Sequence, residues 1–168
     1  LPMDVNTLVI LAKQGDKKAF EVLYKTFYKR IYRYCSINVR GEETAKDVCQ
    51  ETFIRAWKSL PKFAVKKNGS FQSYLFTIAR HLIIDYSRKN KGISLDSMAE
   101  IPVTTNFEDG LYHSSSFKNL KSALAKLNEV DRQIIILRFF EEMAHNEIAH
   151  IIGIREGAIR VRVVRILR

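Results

Sequence analysis

The sequence contains little cysteine. Its two cysteines, Cys35 and Cys49, stand in stretches of helical character. No third or fourth thiol and no nearby histidine completes the ligand spacing of a zinc site. We therefore expect both to be reduced core residues of a cytosolic protein that uses neither a disulfide framework nor a metal for stability.

Long apolar runs are missing as well. No stretch reaches the roughly 18 apolar residues that a membrane-spanning helix requires, and the first residues show no cleavable signal pattern. The aromatic residues are interleaved with charges and do not form the single apolar stripe of a helix that lies on a membrane. The sequence thus predicts a cytoplasmic protein without stable membrane insertion.

A catalytic constellation is also missing. The four histidines are scattered, and no serine, cysteine or carboxylate accompanies them in the pattern of a hydrolase or a metalloprotease. No glycine-rich segment has the context of a phosphate-binding loop. We expect a protein that is not an enzyme and that holds no metal and no cofactor.

Acidic side chains are the minority, and this imbalance indicates the kind of partner. Lysine and arginine number 28 against 18 aspartate and glutamate residues, for a net charge of +10. Basic proteins bind nucleic acid because their cations release the counterions condensed on the polyanion. An anionic membrane is the rival partner, and the interleaved aromatic residues make it the weaker hypothesis.

The charge is unevenly distributed along the chain. Residues 1–92 contain 18 basic and 8 acidic side chains, and residues 117–168 contain 10 and 6. Between them, residues 93–116 contain four acidic side chains and no basic one, together with proline, glycine and runs of threonine and serine. About two dozen residues without periodicity argue against one compact domain. The sequence predicts an N-terminal domain at 1–92, a flexible acidic linker at 93–116 and a C-terminal domain at 117–168.

Apolar residues recur at helical spacing on both sides of the linker, and no segment alternates as a strand would. The N-terminal part predicts two helices separated at Gly15, a third that begins near Glu42 and a fourth that begins at Phe71. The C-terminal part predicts four more, of which the second begins after Asp131 and the fourth after Ile154. The predicted fold is all-α, with two small helical domains.

The C-terminal end has the spacing of a helix-turn-helix. Two helices that cross steeply need a small residue at their contact and a residue that turns between them, and Ala149 and Gly153 stand at those places. The following helix, predicted over 155–168, carries arginine and valine on one side. Arginine can grip phosphates or pair with guanine, and valine can contact a thymine methyl. We interpret this helix as a major-groove reader, with an ordinary solvated terminal helix as the alternative.

Two surfaces of the N-terminal domain carry candidate binding residues. Asp47, Gln50 and Glu51 share a polar face of the third helix, which suits a protein partner that presents arginines, although a merely solvated face is the simpler interpretation. A lysine-rich loop and the fourth helix combine bases with aromatic side chains, as in proteins that hold unstacked single strands. The candidates for nucleic-acid binding there are Lys66, Lys67, Asn68, Ser70, Arg80, His81, Arg88 and Lys89.

In combination, three groups of residues resemble bacterial RNA polymerase sigma factors of the extracytoplasmic-function (ECF) group, which consist of little more than regions 2 and 4 joined by a linker. The first group is Asp47-Val48-Cys49-Gln50-Glu51-Thr52-Phe53 with Trp57. The second runs from Phe71 through Ile78-Ala79-Arg80 to Asp85 and Arg88-Lys89. The third is Leu127 to Arg138, followed by Glu147-Ile148-Ala149 and Gly157-Ala158-Ile159-Arg160. Together they cover nearly the whole chain in the family's order.

The resemblance implies a protein that binds core RNA polymerase and directs transcription initiation at specific promoters. It implies that Asp47, Gln50 and Glu51 contact the coiled coil of the largest polymerase subunit. It also implies that the loop at 66–70 and the helix after it melt and hold the −10 element, with an extruded base read in a loop pocket. The C-terminal helix would read the −35 element as duplex, and an anti-sigma factor is the family's usual regulator. The residues assigned to the −35 contact are Arg138, Arg155, Arg160, Val161, Arg162, Val164 and Arg165.

Several positions depart from the family's usual residues. His81 stands where many members have asparagine, and Ala144 stands where a serine commonly caps the first helix of the motif. Loss of that cap costs about 1 kcal/mol, and we expect Asn146 to offset part of it. Ala158 and Val161 replace a frequent threonine and serine. The promoter sequence therefore cannot be transferred from relatives.

A second hypothesis is a free-standing regulator that binds operator DNA as a dimer, with residues 1–92 as a dimerisation or sensor domain. It predicts that the isolated protein binds duplex half-sites about one helical turn apart, without polymerase. A DNA recombinase, the third hypothesis, needs a nucleophilic serine or tyrosine within an acid or arginine cluster. The sequence offers no convincing one.

Overall fold

The computed structural model describes residues 3–65, 69–89 and 115–168, with side chains from residue 119 onward in the last range. Within these ranges the chain forms eight α-helices and no strand, which confirms the predicted all-α fold. The N-terminal domain consists of α1 Val5–Lys13, α2 Lys17–Asn38, α3 Glu42–Ser59 and α4 Phe71–Lys89. The C-terminal domain consists of α5 Ser115–Ala125, α6 Glu129–Ile135, α7 His145–Ile152 and α8 Glu156–Ile166. Most of the predicted linker lies outside the described residues.

Side-chain caps determine where the first two helices begin. The carboxylate of Asp4 accepts a hydrogen bond from the N–H of Thr7 at 2.7 Å, and that of Asp16 accepts one from the N–H of Ala19 at 3.2 Å. A cap of this kind stabilises a helix by about 1 kcal/mol because the first-turn N–H groups otherwise have no partner. Gly15 precedes the second cap with a φ of +95°, a left-handed conformation that glycine adopts at little cost. The break predicted there is confirmed.

The four N-terminal helices enclose an aromatic core. Helix α2 packs against α1, α3 and α4, and α3 also packs against α4. Phe53 meets Tyr24 edge-on with 4.8 Å between ring centroids, and Tyr34 meets Phe76 edge-on at 5.2 Å. Such aromatic pairs add about 0.5–1.5 kcal/mol to the free energy gained by burying the rings. The core therefore gives α3 and α4 fixed positions, so that their outer faces are presented in a defined geometry.

The two cysteines lie in this core, as predicted. Cys35 and Cys49 are buried and form no disulfide. Burial raises the pKa of both thiols, that of Cys49 to about 12. Because the thiolate is the reactive form of cysteine, both residues are unreactive and contribute to the core by packing.

The C-terminal domain contains the predicted helix-turn-helix in α7 and α8. Gly153 ends α7 with a φ of +83°, and its N–H donates to the carbonyl oxygen of Ala149 at 2.8 Å. Helix α6 begins three residues before the predicted start because Asn128 caps it, accepting a hydrogen bond from the N–H of Asp131 at 2.9 Å. A π-helical segment, Ile136–Phe140, continues α6 towards α7.

The two domains pack against each other. Helix α4 lies against α7, and the buried apolar residues of both domains form one continuous cluster. The predicted division into two helical domains holds, but the sequence gives no indication of this contact between them. One reason is that the contact includes polar pairs between residues far apart along the chain, such as Arg30 with Glu141. Polar pairs of this kind leave no trace in hydrophobic periodicity.

Candidate functional surfaces

The polar face of α3 is accessible in the structure. Asp47 and Gln50 are exposed, and Glu51 is partly exposed. The Glu51 carboxylate accepts a hydrogen bond from Nε of Arg55 at 3.0 Å, so its charge is held in a defined position on the helix. The opposite side of α3 packs inward, as predicted. The three candidate residues are therefore brought together at the surface, where a protein partner can reach them.

Ile54 belongs to the same face and was missed by the sequence reasoning. It follows Asp47 by seven residues and Gln50 by four, which places all three on one side of a helix. Its side chain is 46% exposed, although isoleucine is normally buried. An apolar residue outside the core stripe was the available indication. The face thus combines carboxylates, an amide and an exposed aliphatic group, a composition that suits a helical partner with arginines.

A basic pocket of about 440 Å³ lies between α3 and α4. Its lining residues are Arg55, Lys58, Ser59, Lys62, Ile78 and His81. Three of these side chains are cationic at neutral pH, and they concentrate positive potential in a cleft, which attracts polyanions. His81 is the predicted nucleic-acid residue that lines it. The sequence reasoning missed the three cations because they stand on α3 and the turn after it, about twenty residues before His81 in the chain.

The other predicted residues of the fourth helix fall into two groups. Arg88 and Lys89 are exposed in the last turn of α4. Arg80 instead faces the C-terminal domain, where its Nε donates to Oε1 of Gln133 at 2.8 Å. Ser70 also turns that way, with its hydroxyl 3.4 Å from Oε1 of Glu147. The predicted contacts at Lys66, Lys67 and Asn68 lie outside the described residues.

Helix α8 presents its predicted outer side to solvent. Ile159 and Val163 are buried and seat the helix on the domain. The exposed residues among those predicted to read DNA are Arg155, Arg160, Val161, Val164 and Arg165. Val161 is 66% exposed and Val164 54%, which is unusual for branched apolar side chains unless they face a partner. The helix therefore offers arginine and valine together, and both side chains can contact base edges in the major groove.

Two of the predicted DNA contacts, Arg162 and Arg138, are partly buried and held within the C-terminal domain. The exposed Arg160 and Arg165 also pair there, with Glu156 at 2.6 Å and with Asp131 at 3.6 Å. Arg162 donates to Oδ1 of the buried Asp131 at 2.7 Å, and Arg138 donates to the carbonyl oxygen of Met143 at 2.9 Å. Both contacts tie α6 and the π-helical segment to the helix-turn-helix. Their DNA role remains a prediction, whereas a structural role is visible. The sequence could not separate them from the outward arginines because spacing alone does not show which acid lies nearby.

The missing serine cap of α7 is offset by a different residue from the one predicted. Ala144 makes no side-chain cap, but its own N–H donates to Oε2 of Glu147 at 3.3 Å. This is half of a capping box, in which the third helical residue satisfies the backbone of the cap residue. Glu147, and not Asn146, therefore makes this contact.

These surfaces are suited to binding. Within the described ranges, no group of three or more His, Cys, Asp or Glu side chains is arranged to hold a metal ion. No helix in those ranges is long and apolar enough to cross a membrane. An acidic docking face, a basic pocket and a helix-turn-helix with outward arginines define the class of an all-α DNA-binding protein that also has a protein-docking face.

Comparison with known proteins identifies the family. The model of Sigma-70 region 2 matches residues 23–93, and that of Sigma-70 region 4 matches residues 117–168. The chain is 31% identical over 142 residues to the RNA polymerase sigma factor YlaC of Bacillus subtilis, covering 82% of this chain and 81% of YlaC. It is 33% identical over 165 residues to the ECF RNA polymerase sigma factor BldN of Streptomyces coelicolor, covering 96% of this chain and 62% of BldN's length. The chain belongs to the ECF group of RNA polymerase sigma factors, which are regulatory proteins.

Two solved structures share the fold. One is CnrH in complex with the cytosolic domain of CnrY, with a TM-score of 0.75, 22% identity, and coverage of 98% of this chain and 93% of that one. The other is the sigma factor RpoE in complex with the anti-sigma factor NepR from Bartonella quintana, with a TM-score of 0.73, 24% identity, and coverage of 89% and 92%. The family assignment and this fold favour a sigma factor over the operator-binding dimer.

Proposed function

We propose that this sigma factor binds core RNA polymerase through the outer face of α3 and directs transcription initiation at promoters that it reads at two separate elements. Residues 1–92 serve as region 2, which binds polymerase and the −10 element. Residues 117–168 serve as region 4, which reads the −35 element, and residues 93–116 link the two. The observation that carries the proposal is the accessibility of α3 and α8 at the same time, since polymerase and duplex DNA need separate surfaces.

Polymerase binding is assigned to Asp47, Gln50 and Glu51, with Ile54 as an addition from the structure. The carboxylates suit arginines on a partner helix, and the exposed isoleucine gives the contact an apolar centre from which water is excluded. An interface of this kind combines charge complementarity, which sets orientation, with a buried anchor, which supplies affinity.

The −10 element is assigned to the basic pocket and its surroundings. In this proposal His81 reads a base at the mouth of the pocket while Arg55, Lys58 and Lys62 neutralise phosphates of the unpaired strand. Arg88 and Lys89 continue the basic surface along α4. The loop residues Lys66, Lys67, Asn68 and Ser70, together with Arg80, remain part of the proposed site.

The −35 element is assigned to α8. In this proposal Arg160 and Arg165 leave their pairs with Glu156 and Asp131 to contact bases or phosphates in the major groove, and Val161 and Val164 contact thymine methyl groups. Arg155 stands at the start of the helix, where side chains reach base edges in helix-turn-helix proteins. Arg138 and Arg162 complete the proposed set.

Control by an anti-sigma factor and a cytoplasmic place of action belong to the same proposal. The RpoE structure was determined with the anti-sigma factor NepR. A protein that acts with polymerase on chromosomal DNA works in the cytoplasm, and it accelerates initiation by binding alone. We therefore propose that the chain is not an enzyme and needs neither metal nor cofactor.

Glu51→Lys tests the polymerase surface, and Glu21→Lys is its matched control. Glu51 pairs with Arg55 four residues later at 3.0 Å, and Glu21 pairs with Lys25 at the same spacing and distance on α2. We expect Glu51→Lys to lower affinity for core polymerase at least tenfold in a binding titration, and Glu21→Lys to leave it unchanged. Equal affinity of both variants would show that the α3 face is merely solvated.

Arg160→Ala and Arg165→Ala test the −35 surface. If each guanidinium pairs with a base, the variant should bind its −35 duplex more weakly by about 1–3 kcal/mol, while binding to unrelated duplex changes little. Fluorescence anisotropy with both duplexes measures the difference. Equal losses on the two duplexes would reassign the arginines to phosphate contacts.

A further inference from the structure

The junction between the two domains contains buried polar contacts beside its apolar packing. Within the described residues, six polar or charged side chains are buried, and three of them reach from the C-terminal domain to the N-terminal one. Lys121 donates to the carbonyl oxygen of Ser36 at 3.3 Å, and Gln133 accepts from Arg80. The third, Glu141, makes the most elaborate contact. Buried polar groups are retained only where they are satisfied, so each of these contacts requires an explanation.

Glu141 is held by two arginines of α2. Its side chain is 1% exposed, Oε2 accepts from Nε of Arg30 at 2.6 Å, and Oε1 accepts from Nη2 of Arg33 at 2.5 Å. Arg33 also reaches the carbonyl oxygen of Phe140 at 3.3 Å and stacks near its ring. Two guanidinium groups that each take one oxygen of an anion form the arrangement by which proteins bind carboxylates and phosphates.

The backbone on both sides of Glu141 has an unusual conformation that orients this carboxylate towards the two arginines. The π-helical segment ends directly before it, and Glu142 follows with a φ of +52°, the one positive φ outside glycine in the described residues. A non-glycine residue keeps such a conformation only where the surrounding structure over-determines it. The turn after α6 therefore points Glu141 into the arginine pair and leaves Glu142 exposed.

We propose that Arg30 and Arg33 form a binding site for a backbone phosphate of DNA, and that Glu141 occupies this site in the closed protein with a carboxylate in place of the phosphate. The inference rests on DNA binding by the N-terminal domain as proposed above. Arg80, one of the proposed −10 residues, is covered at the same junction by Gln133. The C-terminal domain thus competes with DNA for at least three arginines of a domain that contains 18 basic and 8 acidic side chains.

The junction is built so that it can open. The hydroxyl of Tyr34 is fully buried near Arg80 and Arg132 and has no hydrogen-bond partner among the described residues. Burial lowers the pKa of Lys121, whose ammonium group donates to a backbone carbonyl instead of to a carboxylate. Opening returns these groups to water, and this gain offsets part of the loss of the Glu141 contacts. The free energy needed to open the junction is therefore smaller than the Glu141 contacts alone would require, and DNA can replace Glu141.

Glu141→Gln tests the competition, with Glu142→Gln as its matched control. Both variants remove one negative charge from adjacent positions, but only Glu141 is buried against arginines. We expect Glu141→Gln to raise the radius of gyration in X-ray scattering above about 15 Å, the value for a compact chain of this length. We also expect it to bind a fluorescein-labelled 20-nucleotide single strand at least tenfold more tightly than Glu142→Gln. Circular dichroism checks that the helices remain.

The phosphate site itself is tested in the Glu141→Gln background. Arg30→Ala with Arg33→Ala should remove the tenfold gain, and the slope of log affinity against log salt should become shallower by about 0.7 for each phosphate that is no longer neutralised. Lys17→Ala with Lys18→Ala removes two exposed charges from the same helix and should keep most of the gain. Equal losses in the two double variants would overturn the site, and an unchanged radius of gyration in Glu141→Gln would overturn the competition. Either result leaves the polymerase-binding test of Glu51→Lys unaffected.

Discussion

The interior of the N-terminal domain and the junction between the domains share apolar packing, but the junction adds buried charged and amide side chains. The interior is aromatic and aliphatic, and the buried hydroxyl of Thr52 bonds locally, to the carbonyl oxygen of Val48 at 2.7 Å. The junction buries Lys121, Gln133 and Glu141, whose partners lie in the other domain. The difference indicates that the interior holds the binding faces in fixed geometry, whereas the junction is a contact that can exchange partners.

The largest effect should come from the interior. Phe53→Ala removes a ring that is 3% exposed and packs on Tyr24, and it should lower the free energy of unfolding by about 3–5 kcal/mol. Chemical denaturation followed by circular dichroism measures this loss. A loss below about 1 kcal/mol would mean that the interior is as adaptable as the junction, and the comparison would fail.

A junction substitution should act in the opposite direction. Lys121→Met replaces a buried ammonium group with an apolar side chain of similar length, and it should stabilise the closed protein by about 1 kcal/mol or more. The melting temperature should rise by roughly 2–4 °C for each kcal/mol. A lower melting temperature would show that the contact with Ser36 outweighs the cost of burying the charge.

The stability that Lys121→Met gains over the wild type should depend on pH. Burial lowers the pKa of Lys121 in the folded protein below 10.5, so the folded state disfavours the proton that the unfolded state still binds. The free energy of unfolding of the wild type therefore rises as the pH increases from the lowered pKa to 10.5. Below this pH range Lys121 is charged in both states, and the full cost of burying its charge remains. The difference in melting temperature between variant and wild type should shrink over this range. A constant difference would attribute the effect to packing alone.

The smallest effect should come from Tyr34→Phe. Its hydroxyl has no hydrogen-bond partner within the described residues, so its removal should change the free energy of unfolding by less than about 1 kcal/mol, towards greater stability. Denaturation under the same conditions as for Phe53→Ala gives a direct comparison of the two aromatic sites. A destabilisation of about 1–3 kcal/mol would reveal a hydrogen bond and a better-satisfied junction.

Much of the fold was predictable from the sequence because it depends on local chemistry. Gly15 marked the break between α1 and α2, and Gly153 marked the turn of the helix-turn-helix. The start of α6 was misplaced because Asn128 caps it, and a cap competes with hydrophobic periodicity in setting a boundary.

The candidate surfaces were predictable only in part. The face of α3 and the outward side of α8 follow from helical spacing, so Asp47 and Arg160 lie where that spacing places them. The pairing of Arg30 and Arg33 with Glu141 joins positions more than a hundred residues apart, and no local pattern encodes it. For the same reason the basic pocket, with Lys58 and Lys62 from one helix end and His81 from another helix, emerges only in three dimensions.

Reconstitution with core RNA polymerase tests the central claim most directly. We expect the wild-type chain to associate stably with core polymerase and to support run-off transcription from a subset of promoters, with loss of both in Glu51→Lys. The contradicting result is a protein that neither associates with core polymerase nor supports transcription, and that binds palindromic duplex as a dimer with half-sites about one helical turn apart.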